Sequence, residues 1–253
     1  MADHLSRNRD YWNAQAPEWA PRGAREWAGD PVWGVWARPE AELGMLDDLA
    51  GADVVELGCG TGYVSAWALR AGAQRAVGVD QSAAQLATAR RLAEEHGAPL
   101  ELLEANAEAT GLPDASFDAA LSEYGASLWC DPEAWLPEAA RLLRPGGRLR
   151  FLTAHPLTVA ATPPDDGPVS EGLHRPWRGL RRIDWDEDED GGACTEFALT
   201  PAGWFDALDR AGFRVTGLLE LYAPEDATGT EFGCPADWAK RWPSEIVWKA
   251  VRR

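Results

Sequence analysis

The stretch Asp53-Val54-Val55-Glu56-Leu57-Gly58-Cys59-Gly60-Thr61-Gly62 indicates how the centre of this chain folds. It is a short apolar run that ends in three glycines at alternate positions, and a helix-forming segment follows from Tyr63. Because glycine has no Cβ, it adopts positive φ and lets another group approach the backbone closely. A glycine-rich loop between a buried strand and a helix N-terminus is typical of a binding site for a small polar ligand.

The glycine spacing distinguishes between two kinds of nucleotide site. A dinucleotide-binding fingerprint reads G-x-G-x-x-G, and its third glycine would fall on position 63, where this chain has Tyr63. The pattern here is instead E-x-G-x-G-x-G, with the Glu56 carboxyl two residues before Gly58. The spacing therefore argues against a nicotinamide dinucleotide as the ligand of this loop.

Strand and helix signals alternate on both sides of the loop. Apolar runs predict further strands at 75–80, 100–103, 117–122, 148–153, 213–221 and 245–251, and N-terminal helix signals stand at Ser82, Asp131-Pro132 and Thr200-Pro201. Strands separated by helices of this length indicate βαβ units and a parallel sheet that is buried on both faces. We therefore predict an α/β fold with a doubly wound, mostly parallel seven-stranded sheet, whose last two strands form an antiparallel C-terminal pair.

The chain is predicted to be a single domain over residues 1–253, with two irregular parts. Residues 1–38 form an N-terminal aromatic cap segment, in which Ser6 caps a first helix and tryptophan-rich chain broken by prolines and glycines follows. Residues 39–49 predict a helix leading into the first strand. Regular patterning stops again over residues 155–200. Because loops of this length inside a compact domain are usually functional or disordered, we expect this insertion to form a lid on the substrate side.

The composition limits the partners of this protein. The formal net charge is -17, and Lys240 and Lys249 are the only lysines, so a face that binds nucleic acid or anionic lipid is not expected. No apolar run reaches the roughly 18 residues that span a bilayer, and residues 1–7 lack the apolar core of a signal peptide. Four cysteines without a C-x-x-C pair indicate neither a zinc site nor a disulfide framework. We expect a cytoplasmic protein without a metal, either a monomer or a homodimer.

The motif around Glu56 closely resembles the first motif of the class I S-adenosylmethionine-dependent methyltransferases. The Rossmann-like fold of that family has the predicted number and order of strands. The resemblance implies that Glu56 lies near the ammonium or sulfonium end of S-adenosylmethionine. The loop that passes under the methionine part of the cofactor then comprises Gly58, Cys59, Gly60 and Gly62.

Later positions extend the resemblance to the following strands. Asp80 ends the second strand, where the family has an acid that accepts hydrogen bonds from both ribose hydroxyls, and Gln81 borders the adenine. After the third strand, Asn106 and Ala107 resemble the Asp-Ala pair beside the adenine amino group, with the Asn106 side-chain carbonyl as the acceptor. Ser122 ends the fourth strand, which opens toward the methyl group.

The resemblance also implies that the helix before the first strand closes over the cofactor. In many members of the family this helix touches the methionine end, and here Tyr11 and Trp12 are the residues at that position. Tryptophan faces also attract a sulfonium by cation–π interaction, worth roughly 0.5–2 kcal/mol. Most of the remaining tryptophans of residues 1–38 are expected to pack, because large rings anchor irregular chain.

The implied reaction is in-line displacement of the methyl group onto a small-molecule acceptor, for which a site aligns the reacting atoms and excludes water. A base is needed only where the acceptor arrives protonated. Three candidates follow the carboxyl ends of the middle strands, where open α/β sheets bind ligands: His155, Glu123 and Tyr124. His155 has an alternative role as a residue that bonds the backbone where the chain leaves the sheet, and Tyr124 as a wall of the pocket.

The insertion is expected to supply residues that select an acidic or aromatic acceptor. These residues are Trp177, Arg178, Arg181, Arg182 and Trp185. The acidic run at 184–190 is interpreted more simply as a solvated loop, which could neutralise the arginines.

Three alternative functions remain open. The first is an NAD(P)-type oxidoreductase on a related sheet, which the glycine spacing and the C-terminal strand pair oppose. The second is a non-catalytic module that binds the cofactor for regulation, which the intact loop and Asp80 oppose. The third is methylation of protein or RNA, and the net charge argues against RNA.

Overall fold

The computed structural model describes residues 3–185 and 192–253. Its helices are α1 (Asp3–Ala28), α2 (Glu40–Leu43), α3 (Tyr63–Arg70), α4 (Ala83–Glu95), α5 (Ala126–Trp129), α6 (Pro132–Leu142), α7 (Pro156–Ala161), α8 (Pro201–Arg210) and α9 (Ala236–Ala239). Its strands are β1 (Val32–Trp33), β2 (Arg38–Pro39), β3 (Asp53–Leu57), β4 (Arg75–Asp80), β5 (Glu101–Glu104), β6 (Phe117–Glu123), β7 (Leu143–Ala154), β8 (Arg182–Trp185), β9 (Cys194–Phe197), β10 (Phe213–Leu221), β11 (Thr230–Glu231), β12 (Cys234–Pro235) and β13 (Glu245–Arg252). None of these described helices combines the length and the hydropathy needed to cross a membrane.

Seven strands form one sheet in the order β10-β13-β7-β6-β3-β4-β5. The five strands from β7 to β5 are parallel, whereas β13 is antiparallel to both β7 and β10. The predicted fold, a mostly parallel seven-stranded sheet with an antiparallel C-terminal pair, is confirmed. The strand order reverses at β3, because the chain next adds β4 on one side and later β6 on the other. Sheets of this kind bind ligands at the carboxyl ends of the strands beside such a reversal.

Hydrophobic clusters bury both faces of the sheet. Successive side chains of a strand point to opposite faces, and β7 shows this clearly. Phe151 packs in one cluster with Trp135 of α6 and Trp204 of α8. Its neighbour Leu152 packs in the other cluster with Trp67 of α3. These two layers of helices hold the strand ends in place, and the strand ends in turn position the site.

The first helix is longer than the sequence predicts. It begins before Ser6 and continues through Pro17 and Pro21, where irregular chain was expected. A proline inside a helix removes a backbone hydrogen bond and costs about 3 kcal/mol. Packing offsets this cost, because Trp27 near the end of α1 is buried among residues of α3 and α4.

The helix predicted over residues 39–49 is reduced to the four residues of α2. Gly44 takes a left-handed conformation with φ of 56° and ends the helix. The side chain of Glu40 organises the following turn, since its carboxylate accepts hydrogen bonds from the backbone N–H groups of Met45 (3.1 Å) and Leu46 (2.6 Å) and from the Trp33 indole (2.6 Å). The Glu40 carboxylate therefore stabilises a turn at the position where the longer helix was expected.

The insertion at residues 155–200 contains α7 and an antiparallel hairpin of β8 and β9, in which Trp185 pairs with Cys194. Strand β9 packs against α1 and α5. The insertion and the N-terminal helix therefore lie on the same side of the sheet. Residues 186–190 of the predicted solvated run lie outside the described residues.

Candidate functional site

A cavity of about 370 Å³ lies at the carboxyl ends of the central strands. Its floor comes from the loop after β3 and the segment after β6, and its walls come from α1, the insertion and the turn between β11 and β12. The volume is in the range of pockets that bind small molecules and cofactors.

The three glycines of the loop have different surroundings. Gly58 has φ of 77°, and a Cβ there would lie 2.5 Å from the Gly125 Cα. Gly60 has φ of 51° and lines the cavity, and the nearest heavy atom to a Cβ there is the Gln85 Oε1 at 4.0 Å. Gly62 does not line the cavity; it caps α3, and a Cβ there would lie 3.1 Å from the Leu100 side chain. Gly60 alone of the three leaves open space toward a ligand.

Asp80 fixes the open part of the loop. Its two carboxylate oxygens accept hydrogen bonds from the backbone N–H groups of Gly60 and Ser82, both at 2.8 Å. Burial raises the pKa of Asp80, and these backbone hydrogen bonds act in the opposite direction. Because each carboxylate oxygen has two lone pairs, the pair can accept two further hydrogen bonds from the cavity, which Asp80 lines together with Gln81.

Glu56 lies on the floor of the cavity and is almost fully buried. One of its oxygens accepts hydrogen bonds from the Ser65 backbone N–H at 2.8 Å and the Ser65 hydroxyl at 2.5 Å. Burial raises the pKa of Glu56 to about 8. A positive charge placed in the cavity would favour the ionised form of this carboxyl.

Besides Gly62, two more of the predicted cofactor contacts do not line the cavity. Ser122 is fully buried, donating a hydrogen bond to the Leu57 carbonyl at 2.9 Å and accepting one from the Ser127 backbone N–H at 3.2 Å. It therefore links the ends of β3 and β6. The Asn106 side chain accepts a hydrogen bond from the Glu108 backbone N–H at 2.9 Å, while its neighbour Ala107 does line the cavity.

Aromatic residues of α1 cover the cavity, and one partner comes from an unpredicted position. Tyr11 and Trp12 both line the cavity. Trp129 of α5 also lines it, stacking on Tyr11 at a centroid distance of 5.8 Å and meeting Trp12 edge-on at 5.1 Å. Trp129 was missed because it lies six residues beyond the end of β6, whereas the prediction considered only Glu123 and Tyr124 at the strand end.

Two asparagines attach α1 to the rest of the site. The Asn8 amide donates hydrogen bonds to the carbonyls of Trp129 (2.9 Å) and Thr195 (2.8 Å), and its carbonyl accepts one from the Thr195 N–H at 2.7 Å. The Asn13 carbonyl accepts hydrogen bonds from the Ser82 hydroxyl (2.8 Å) and the Ala84 backbone N–H (3.2 Å) at the start of α4. The helix is thus bonded to both the insertion and the strand end that carries Asp80.

Glu123 places an unpaired carboxylate oxygen at the cavity. The side chain is 7% exposed and lines the cavity. Its Oε1 accepts a hydrogen bond from the Gly34 backbone N–H at 2.7 Å, and its Oε2 is buried without a hydrogen-bond partner in the described structure. Burial raises the pKa of Glu123, while the Gly34 N–H, the Arg22 charge and the Tyr63 hydroxyl act in the opposite direction.

Tyr124 is the next residue and has the positive φ of 50°. Its hydroxyl donates a hydrogen bond of 2.7 Å to Glu245 at the start of β13, and the Val35 backbone N–H donates to the same oxygen at 2.9 Å. Glu245 is fully buried, and burial raises its pKa to about 7. Sequence reasoning missed Glu245, because 121 residues separate it from the tyrosine that it bonds.

Known proteins of similar sequence or structure are methyltransferases. A family model described as a methyltransferase domain matches residues 55–151. Demethylmenaquinone methyltransferase of Thermus thermophilus is 37% identical over 122 residues, which cover 48% of this chain and 54% of that protein. The ubiquinone biosynthesis O-methyltransferase of Ruegeria pomeroyi is 28% identical over 201 residues, which cover 79% of this chain and 71% of that protein. The crystal structure of an S-adenosylmethionine-dependent methyltransferase from Mesorhizobium loti has a TM-score of 0.64 at 25% identity, covering 87% of this chain and 100% of that one.

Residues 55–151 match a methyltransferase domain, and the fold is that of S-adenosylmethionine-dependent methyltransferases. These findings support the class I family that the sequence motif indicates, and with it S-adenosylmethionine as the cofactor. The chain spans about half the length of the Thermus protein that it matches. Its acceptor and its own activity are therefore treated as proposals.

His155 does not line the cavity of the methyltransferase. It caps α7, where its Nδ1 accepts a hydrogen bond from the Leu157 backbone N–H at 3.1 Å. Its Nε2 lies 3.4 Å from a Glu220 carboxylate oxygen. Burial lowers the pKa of His155, and Glu220 acts in the opposite direction. The structure does not bring the expected base to the cavity, because both ring nitrogens face groups outside it.

The insertion contributes acids to the cavity, not the expected arginines. Arg181 pairs with Asp131 (2.7 Å) and Glu133 (2.9 Å), and Arg182 pairs with Asp184 (2.8 Å). Trp177 and Arg178 are exposed, so of the five expected residues only Trp185 lines the cavity. Asp166 and Glu196 of the insertion line it instead, and burial raises the pKa of Glu196 to about 7.

Arg22 of α1 is the one basic residue among the described residues that line the cavity. Its guanidinium lies over two aromatic rings, 5.3 Å from the centroid of Trp19 and 5.1 Å from that of Phe232. These two rings also stack on each other at 5.8 Å. In the described part of the methyltransferase, no three His, Cys, Asp or Glu side chains are grouped so that they could hold a metal ion.

Proposed function

We propose that this chain transfers the methyl group of S-adenosylmethionine to a small-molecule acceptor bound in the cavity described above. The observation that carries the proposal is the pairing of Asp80 with the open Gly60. The carboxylate is held by two backbone N–H groups, and a Cβ built on the adjoining Gly60 would lie no closer than 4.0 Å to another side chain, that of Gln85. A nucleoside with two vicinal hydroxyls fits this arrangement, because a carboxylate accepts both hydroxyls in a charge-assisted match.

Other lining residues fit the remaining parts of the cofactor. Gln81 and Ala107 border the space beyond the ribose site, where the adenine would lie. The Gln85 Oε1 is buried in the lining without a hydrogen-bond partner in the described residues, so a donor of the cofactor could satisfy it. Glu56 and Arg22 offer opposite charges for the ammonium and carboxylate of the methionine part.

When bound, the cofactor supplies a methyl group on a positively charged sulfur, which is a good leaving group. The chain has to align the acceptor with that group and to exclude water. The aromatic cover of Tyr11, Trp12 and Trp129 suits the second task, because these rings pack on one another over the cavity. The enclosed site also strengthens the electrostatic contacts inside it.

Glu123 is our proposed base. Glu123 lines the cavity and its buried Oε2 has no hydrogen-bond partner in the described residues, while its raised pKa brings the carboxyl closer to the neutral pH at which a base works well. Tyr124 serves as a wall and a hydrogen-bond donor, because burial raises the pKa of its hydroxyl well above the usual value and keeps it protonated.

These findings also bear on the alternative functions that the sequence left open. Family membership favours S-adenosylmethionine over a nicotinamide cofactor, so the oxidoreductase alternative is not retained. A purely regulatory module would not need an unpaired carboxylate oxygen at Glu123. That oxygen therefore supports a catalytic function over a purely regulatory one. The net charge of -17 supports a small molecule over nucleic acid as the acceptor.

Calorimetric titration with S-adenosylhomocysteine tests the proposal. Wild-type protein should bind it, and Asp80→Ala should weaken binding at least about tenfold, since a charge-assisted hydrogen bond contributes roughly 1.5–3 kcal/mol. The control is Asp206→Ala, an exposed acid on α8 outside the cavity. No binding by the wild type, or equal affinity in Asp80→Ala, contradicts the proposal.

A further inference from the structure

The charge of the cavity points to the acceptor. Within residues 3–185 and 192–253, six carboxyl groups and a single guanidinium line it, the acids being Glu56, Asp80, Glu123, Asp166, Glu196 and Glu231. Under the proposed function the cofactor brings a net charge of only about one positive unit, from its sulfonium, ammonium and carboxylate groups. Burial raises the pKa of Glu56 to about 8 and that of Glu196 to about 7, which reduces the excess of negative charge near neutral pH. An anionic acceptor would therefore enter a cavity of its own charge, whereas a cation would be attracted.

A second observation gives this charge a specific position. The Glu123 Oε2 is buried and has no hydrogen-bond partner in the described residues, and Glu123 is one of the residues that line the cavity. Buried charged oxygens are usually paired, because an unpaired one does not recover the hydration that it loses on burial. The other oxygen of the same carboxylate is held by the Gly34 N–H, so the side chain is fixed in orientation. Oε2 is thus available to a donor in the cavity.

The aromatic walls suit the same kind of ligand. Trp19 and Phe232 already carry the Arg22 guanidinium on their faces, which shows that rings at this mouth accept a cation. Tyr63 and Tyr124 add two further rings beside Glu123. A cation over such faces is attracted by the negative face of the ring, more strongly where water is excluded.

We infer that the acceptor is an amine, bound as its ammonium ion by Glu123 and the surrounding aromatic rings. This inference rests on the proposed function and adds the substrate class to it. It differs from what the names of the two curated relatives state, since one is a methyltransferase of demethylmenaquinone and the other an O-methyltransferase of ubiquinone biosynthesis.

The reaction balances as follows. The acceptor R–NH3+ gives one proton to the Glu123 carboxylate and becomes R–NH2. The nitrogen lone pair forms the N–CH3 bond as the C–S bond breaks, and the electron pair of that bond stays on sulfur. The products are the methylated ammonium R–NH2+–CH3, neutral S-adenosylhomocysteine and protonated Glu123, which then returns its proton to water.

The test uses three probes of similar size and different charge: phenethylamine, 2-phenylethanol and 3-phenylpropanoate. Each is titrated calorimetrically into protein saturated with S-adenosylhomocysteine. Phenethylamine should bind at least about tenfold more tightly than the other two, as expected for a hydrogen-bonded charge pair. With S-adenosylmethionine, N-methylphenethylamine should be detected by mass spectrometry.

Variants of Glu123 test whether this residue causes the preference for the amine. Glu123→Gln should remove the preference for the amine, Glu123→Asp should keep part of it, and Asp206→Asn on α8 should leave it unchanged. Thermal unfolding and S-adenosylhomocysteine affinity, measured on each variant, show whether the fold and the cofactor site are intact.

Several results overturn the inference while leaving methyl transfer standing, provided that S-adenosylhomocysteine still binds the wild type. These are equal or tighter binding of 3-phenylpropanoate, no binding of any probe, or an amine preference that persists in Glu123→Gln. A loss of S-adenosylhomocysteine affinity in Glu123→Gln with the amine preference unchanged assigns Glu123 to the cofactor's ammonium instead. Failure of the wild type to bind S-adenosylhomocysteine defeats the proposed function itself.

Discussion

Gly58 and Gly60 share positive φ values but differ in what surrounds them. Gly58 is packed against the backbone of Gly125 at distances that leave no room for a Cβ, whereas Gly60 faces the cavity. An alanine at either position takes up a left-handed conformation, at a cost of about 1–2 kcal/mol. Only at Gly58 does the new methyl group also collide with backbone, which adds roughly 1–3 kcal/mol.

The two alanine variants should therefore separate stability from binding. Gly58→Ala should lower the free energy of unfolding by about 2–5 kcal/mol, and Gly60→Ala by about 1–2 kcal/mol. Gly60→Ala should nevertheless lose at least about tenfold in S-adenosylhomocysteine affinity, because its methyl group enters the cavity. Urea denaturation and calorimetry measure the two quantities. Equal destabilisation by both variants would contradict the difference in packing.

Among single residues, the sequence predicts those whose role follows from their spacing along one strand and the helix after it. Glu56, Gly58 and Asp80 are of this kind, since each lies at a fixed offset from the end of a strand. Glu245 could not be predicted, because its partner Tyr124 is brought to it only by the pairing of β13 with β7. The placement of the His155 ring could not be predicted for a related reason: position after a strand does not reveal that a ring turns back to cap the next helix.

Helix α1 acts as a unit in covering the cavity, and Asn8 is its main polar attachment. The asparagine satisfies the backbone of Thr195 in both directions and also the Trp129 carbonyl. Its replacement by alanine leaves these buried groups without partners, each at a cost of roughly 1–3 kcal/mol. The rings of Tyr11 and Trp12 lie on the next turn of the same helix, so their positions depend on this attachment.

Asn8→Ala should lower the thermal unfolding midpoint and weaken S-adenosylhomocysteine binding several-fold. Amide hydrogen exchange in α1 should become faster, because local opening then breaks fewer buried contacts. Glu18→Ala, an exposed change in the same helix, is the matched control and should alter neither quantity. Unchanged exchange in Asn8→Ala would show that hydrophobic packing alone holds the helix.

Strands and helices of the sheet region were predicted to within a few residues, because a buried strand needs a continuous apolar run and its helix needs a cap. Ser82, Asp131 and Thr200 each accept the predicted backbone hydrogen bond as N-caps. Helix α1 was missed for a physical reason: Pro17 and Pro21 oppose a helix locally, and only tertiary packing overrides them.

For the molecule as a whole, several buried carboxyls make stability depend on pH. Glu245 has an ordinary pKa of 4.5, and burial raises it to about 7 in the folded state, with Glu123 adding to this effect and Tyr124, the Val35 N–H and Arg22 opposing it. A raised pKa means that the folded state binds more protons than the unfolded state between these two values. The free energy of unfolding therefore falls as the pH rises through that window.

Replacing Glu245 by glutamine should remove its share of this dependence. Glutamine resembles the protonated acid and keeps a carbonyl oxygen for the donors of Tyr124 and Val35. Wild type and variant should have similar stability at about pH 5, and the variant should be more stable by about 1–3 kcal/mol at about pH 8. Urea denaturation across this range measures the difference, with Asp206→Asn as control. Parallel curves for wild type and Glu245→Gln would contradict the assignment.

The cavity walls come from α1, the insertion and the turn between β11 and β12, all of which lie outside the 55–151 region that the family model matches. Most of the cavity wall is therefore encoded outside the stretch that carries Gly60, Asp80 and Glu123. Mutation can change the shape of this wall while the residues proposed to bind the nucleoside stay unchanged. Chimaeras that exchange only these outer stretches between relatives offer a direct route to altered specificity.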